Sequence, residues 1–167
     1  MISVLRQQIF KSMEHYRDEL RPEDKGWKIL EVGIDGDEKP SGNYKYFGKG
    51  NDWKTLDYLP DLKPDFVADI TDTKMPDNEW DLIICSQTLE HVFEFKKAIA
   101  EIYRMTKVEG YAILDSPFEY PYHGVGGYDD FWRISDTALC RLAREAGFGV
   151  IDYGMMGSLA TGLFKKI

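Results

Sequence analysis

The run Trp80–Cys85, WDLIIC, carries one polar side chain in six residues. A strand with one wet face alternates apolar and polar residues, whereas a strand covered on both faces reads as a nearly unbroken apolar run. Lys28–Val32 (KILEV) and Tyr111–Leu114 (YAIL) share that character. Trp53–Asp57, Asp65–Asp69, Phe148–Tyr153 and Leu159–Lys165 complete the predicted strands. Helical patterns stand between them. Leu89–Thr106 sets Val92, Phe95, Ile99, Ile102 and Met105 on one stripe, and Ser135–Ala146 opens on a capping serine and closes at Gly147. Strands that alternate with helices and are apolar on both faces call for an α/β fold: a mostly parallel sheet covered on both sides. Too few residues separate the last two strands for a crossover, so Leu159–Lys165 is predicted to return antiparallel.

Upstream, Val4–Leu20 spaces Leu5, Ile9, Met13, Tyr16 and Leu20 as an amphipathic helix, with Ser3 as its cap and Arg21-Pro22 as its stop. Residues 1–26 are read as this helix and a linker, and residues 27–167 as one domain, since 167 residues support one real core rather than two. The net charge is −8 and no basic run exceeds two residues. Gripping phosphate backbones requires Lys and Arg, so neither nucleic acid nor an anionic membrane is an expected partner. An acidic field suits a cationic ligand. Cys85 sits in an apolar run, Cys140 in a helical pattern, and neither has a CxxC partner. Buried thiols in a reducing, cytoplasmic setting are therefore expected, with no disulfide and no metal site. No apolar stretch is long enough to span a bilayer.

Sheets of this kind bind ligands beyond the carboxyl ends of their strands. The residues at those ends are Gly33–Asp37, Asp57, Asp69 and Ile70, Ser86–His91, and Asp115–His123. The first of them, in KILEVGIDGDEKPSGNY, is a glycine turn with two acids, Asp35 and Asp37. Pro40 and frequent glycines leave no room for a long helix behind it. A pyrophosphate-binding turn would want G-x-G-x-x-G and a helix N-terminus.

Taken in order, ILEVGIDG, TLD, DFVADITDTKMPDNEWDLIICSQTLEHV and AIAEIYRMTKVEGYAILDSPF resemble the class I S-adenosylmethionine-dependent methyltransferases, and a small type-11-like member in particular. YDDFWRISDTALCRLAREAGF is similar to a segment of small bacterial members, several of which act in surface-sugar pathways. The likeness spans roughly residues 28–165. It implies a Rossmann-like methyltransferase fold of six or seven strands, with S-adenosylmethionine as cofactor. It further implies cofactor contacts from Glu31, Gly33, Gly36, Asp57, Asp69, Ile70 and Ser86. Gly33 would let backbone approach the amino-acid end, Asp57 would accept the ribose hydroxyls, and Asp69 and Ile70 would meet the adenine. The cofactor has no pyrophosphate, so acids in the glycine turn are tolerable. Asp35 and Asp37 depart from the family pattern, as does Tyr111 beside the retained Gly110.

The expected reaction is transfer of a methyl group to a small molecule or saccharide at a hydroxyl. Histidine suits proton removal near neutral pH, and His123, on a Gly- and Tyr-rich loop, is the candidate base. His91, Tyr122 and Arg133 are candidate acceptor contacts. His91 also reads as a packing residue that begins a helix, and Trp132 as a wall of the acceptor site or a plug of the core. The N/D/S-P-P-Y/F motif of amino-methylating DNA enzymes is absent after the fourth strand, where CSQTLEH stands. Two other readings remain open from sequence: a non-catalytic member that binds cofactor or a partner, and an NAD(P)-dependent oxidoreductase. The second lacks its glycine fingerprint.

Overall fold

The computed structural model describes residues 3–34, 42–124 and 128–167. Helix α1 (Val4–Leu20) is followed by β1 (Lys28–Val32), the short α2 (Tyr44–Phe47), β2 (Asp52–Asp57), β3 (Phe66–Val67), β4 (Trp80–Ser86), α3 (Phe95–Met105), β5 (Thr106–Pro117), α4 (Asp136–Ala146), β6 (Phe148–Met156) and β7 (Leu159–Lys166). One seven-stranded sheet runs in the order β3-β2-β1-β4-β5-β7-β6. All pairs from β3 to β5 are parallel, whereas β7 is antiparallel to both β5 and β6. The predicted mostly parallel sheet with an antiparallel last strand is thus the observed one. Among the described residues no helix is long and apolar enough to cross a membrane.

Period-two alternation divides the strand side chains between two cores. Leu30, Val32, Ile83 and Cys85 face α3 and α4, while Ile29, Leu82 and Ile84 face α1 and α2. This is why β1 and β4 read as apolar on both faces. Helix α1 belongs to the second core, burying Met13, Tyr16 and Leu20. The caps fall where the sequence places them. Ser3 accepts from the Arg6 N–H and Ser135 from the Ala138 N–H, and Gly147 ends α4 with φ 115°.

Three elements differ from expectation. Helix Leu89–Thr106 is broken: a single 3₁₀ turn, Leu89–His91, precedes α3, which starts only at Phe95. Strand β3 keeps two residues, because Asp65 turns back to accept from the Thr55 N–H and hydroxyl at 2.9 Å each. Strand β5 is longer than YAIL and begins at Thr106, with an irregularity where Glu109 adopts φ 66°.

Candidate active site

The carboxyl ends of β1, β2 and β4 and the segment after β3 open onto one cavity of about 770 Å³. Gly33 leaves β1 with φ 77°, a conformation that favours glycine. A Cβ there would stand 2.0 Å from the Thr88 hydroxyl, so a glycine at this position lets the Thr88 side chain pack directly against the end of β1. Glu31, nearly fully buried, accepts from the Asn43 amide at 2.8 Å. Asp57 is 3% exposed. It accepts from the backbone N–H groups of Ile34 (3.1 Å) and Leu59 (2.9 Å) and from the Tyr128 hydroxyl (3.0 and 3.1 Å). Asp69 accepts from the Thr71 N–H and hydroxyl, both at 2.8 Å, and Ile70 is buried beside it. Ser86, at the end of β4, also lines the cavity. Gln87 follows with φ 52°, held there by Asp115, which accepts from its N–H and its side-chain amide. Burial pushes the Asp115 carboxyl up to about 6.

Glu90, His91 and His123 come together at this cavity, the two histidines in its wall. The 3₁₀ turn after β4 sends Glu90 inward, where it is 0% exposed, and sets His91 at the wall. His123 reaches the same point from the loop after β5, its ring 5.0 Å from that of His91. The Nε2 atoms of both imidazoles lie 3.8 Å from Glu90 Oε1. Burial pushes Glu90 up to about 8, opposed by its hydrogen bonds and by Arg133. Burial also lowers His91, and its contact with the Asp129 carbonyl works the other way. The His123 N–H donates to Asp130 at 2.7 Å, and Arg133 holds Asp130 well below the usual carboxylate range.

Glu31, Gly33, Asp57, Asp69, Ile70, Ser86, His91 and His123, all singled out from sequence, therefore share this cavity. Gly36 lies outside the described residues. Tyr122 is 74% exposed and is not part of the cavity wall. Nor is Arg133, whose guanidinium donates to the carbonyls of Tyr120 and Pro121 and to Asp130, clasping the loop that presents His123. Trp132 packs against the core, and its indole N–H donates to the Val92 carbonyl at 3.1 Å. Sequence reasoning missed Glu90 and Tyr128. The only signal for Glu90 was its place in LEH, and Tyr128 carried none. It also missed that Ile9 and Phe10 of α1 close one side of the cavity.

A family model described as a methyltransferase domain matches residues 30–114, slightly more than half of the chain. No curated protein matches it. Among solved structures, the chain is similar to an S-adenosylmethionine-dependent methyltransferase from Aquifex aeolicus. That match has 16% identity and a TM-score of 0.68, covering 92% of this chain and 88% of the other. A TehB-like methyltransferase from Corynebacterium glutamicum shares 20% identity at a TM-score of 0.65, with 93% and 87% covered. A chain of the Haloferax volcanii complex between the Trm112 methyltransferase activator and a methyltransferase shares 15% identity at 0.69, with 93% and 92% covered. At such identities these likenesses speak for the fold.

The cavity suits the family's cofactor. Its volume falls in the usual range for a small-molecule site. Gly33 lines the cavity without a side chain of its own, and Asp57 already accepts from a hydroxyl. Acids along the wall favour a cationic sulfonium over a phosphate-bearing ligand. Sheet order, strand-end acids and the matched residues agree: the chain belongs to the methyltransferase-domain family and is a class I S-adenosylmethionine-dependent methyltransferase.

Proposed function

We propose that the chain methylates a hydroxyl of a small polar molecule or saccharide that enters beside His91, Tyr120 and His123. The observation that carries this reading is the make-up of the cavity wall. Strand-end residues Gly33, Asp57 and Asp69 line it together with His91 and His123, behind which the buried Glu90 stands. Asp57 would hold the ribose, Asp69 and Ile70 the adenine, and Glu31 and Gly33 the amino-acid end. Bound there, the cofactor supplies an activated methyl group, so the protein's own work is to align the acceptor and draw off its proton. A hydroxyl needs that help near neutral pH, whereas many amines and thiols do not. The buried cluster supplies groups of the right kind. His123 is its catalytic member, more open to the cavity than His91, with side-chain exposures of 29% and 14%. Tyr120 and Tyr128 add flat aromatic walls, which suit sugar rings as well as bases.

Methyl-labelled cofactor supplied with nucleotide sugars, free saccharides and small alcohols tests the reading. Label transfer to a hydroxyl oxygen is expected. Transfer confined to amine or thiol acceptors would refute the hydroxyl assignment while leaving the enzyme class intact.

A further inference from the structure

We infer that Glu90, His91 and His123 form a binding site for a divalent first-row transition-metal ion, held by the Glu90 carboxylate and the two imidazole Nε2 atoms. One ligand atom from each of the three lies within 4.8 Å of the others, and Glu90 Oε1 is 3.8 Å from each Nε2. Those separations are too long for hydrogen bonds. Glu90 Oε1 is fully buried and has no hydrogen-bond partner among the described residues.

The imidazole protons are accounted for elsewhere. His91 Nδ1 lies 2.5 Å from the Asp129 carbonyl oxygen, an acceptor, so it carries the proton and Nε2 the lone pair. His123 Nδ1 lies 3.3 Å from both the Asp130 carboxylate and the Pro121 carbonyl. The one nearby donor among the described residues, Arg133 Nη2, is farther away at 3.4 Å and bonds Asp130 at 2.7 Å. The same tautomer follows. Both imidazoles thus turn a lone pair toward a buried Glu90 oxygen that nothing else among the described residues satisfies. Such a convergence is costly unless a positive charge sits between the groups.

The surroundings have the form of a metal site. Metal-ligating histidines donate their second N–H to a carbonyl or carboxylate, as the Asp129 carbonyl accepts from His91 and the Pro121 carbonyl from His123 here, with the Asp130 carboxylate beside the latter. Two ligands about 2.1 Å from a tetrahedral ion stand roughly 3.4 Å apart, so closing 3.8 Å takes only small side-chain rotations. Two imidazoles and a carboxylate favour zinc, iron, cobalt or manganese over magnesium. Three protein ligands leave coordination positions open. On the methyl-transfer reading, those positions take the acceptor hydroxyl. The cation would lower its pKa and the proton would pass to solvent, with His123 serving as a ligand in place of the base role given it above. The binding site itself does not depend on that reading. The rival arrangement is a protonated Glu90 that donates to one imidazole.

The test uses untagged, chelator-stripped protein titrated with Co²⁺, followed by visible absorption, and with Mn²⁺, followed by loss of the free-ion spin resonance signal. One ion per chain is expected. His91→Ala and His123→Ala should weaken binding by more than about 100-fold, and Asp130→Asn by about 10–100-fold. His15→Ala, on α1 and bonded to Asp152 instead, should bind as the unmodified chain does. S-adenosylhomocysteine titration of each variant reports that the fold is kept. No binding at metal concentrations on the order of 1 mM, or equal binding by the His15 and His123 variants, overturns the site. Protein that binds S-adenosylhomocysteine yet takes up no added metal would refute this inference alone. Metal binding without S-adenosylhomocysteine binding would uphold it and refute the methyl-transfer role.

Discussion

Replacing Asp57 by alanine removes an almost fully buried carboxylate from the end of β2. The carboxylate holds the backbone at Ile34 and Leu59, and the Tyr128 hydroxyl shares its one proton between the two carboxylate oxygens. A ribose diol would compete for the positions Tyr128 holds. Hydrogen bonds to a charged acceptor contribute about 1.5–3 kcal/mol, so Asp57→Ala is expected to weaken S-adenosylhomocysteine binding roughly ten- to hundredfold. Tyr128→Phe has the opposite sign. It removes a neutral donor that must leave before the ribose binds, a gain of about 0.5–1.5 kcal/mol, or roughly two- to tenfold tighter binding. In the Asp57→Ala background that gain should vanish, because the competition no longer exists. Isothermal titration of the four proteins measures the cycle. Asp57→Asn, which keeps an acceptor for one backbone N–H, guards against loss of fold, checked by circular dichroism. Unchanged affinity in a folded Asp57 variant would refute the ribose assignment. A Tyr128→Phe protein that binds more weakly would show that the tyrosine supports the ligand rather than competing with it.

Gly33→Ala combines a strained φ of 77° with a Cβ 2.0 Å from the Thr88 hydroxyl. A loss of about 1–3 kcal/mol in denaturant titration is expected, together with weakened S-adenosylhomocysteine binding; an unaffected variant would refute the close-approach argument. His123→Ala should lower turnover by about 10²–10⁴ and leave S-adenosylhomocysteine affinity nearly unchanged, and joint loss of both would mark a packing residue instead. Hydrogen bonding to Arg104, with help from Thr73, holds Glu101 down at about 2 from an ordinary 4.5. Its stabilising contribution is full above pH of about 4.5 and disappears as pH falls toward about 2. The full shift would correspond to about 3 kcal/mol, reduced by solvent screening at the half-open Arg104 to about 1–2. Glu101→Gln should therefore destabilise the protein at pH of about 6 and make no difference near pH 2, as read from urea midpoints. An equal difference at both pH values would exclude the ion pair as its source.

The break in the helix predicted over 89–106 shows where sequence reading stopped. Apolar spacing there is helical throughout, and nothing local forbids continuation. The residues that interrupt it come from the loop before α4. The N–H groups of Phe131 and Trp132 donate to the Glu90 carbonyl, and the Trp132 indole donates to the Val92 carbonyl. Carbonyls that a continuous helix would use are taken by a segment some 40 residues away in sequence. That competition frees Glu90 to turn inward beside His91.

What the sequence alone determined follows from nearest-neighbour physics. Period-two burial on both faces marks β1 and β4. Side-chain caps and a left-handed glycine mark α4. Glycine and acids just past apolar runs mark Gly33, Asp57 and Asp69, because in a parallel sheet those ends all point the same way. Only the tertiary structure decided that Arg133 clasps a loop, that Tyr128 sits on Asp57, and that His123 faces Glu90 and His91 across 32 residues of chain. Each of these depends on how a loop folds back over the sheet. No local propensity encodes such a return, since its hydrogen bonds and burial exist only once the strands beneath have assembled.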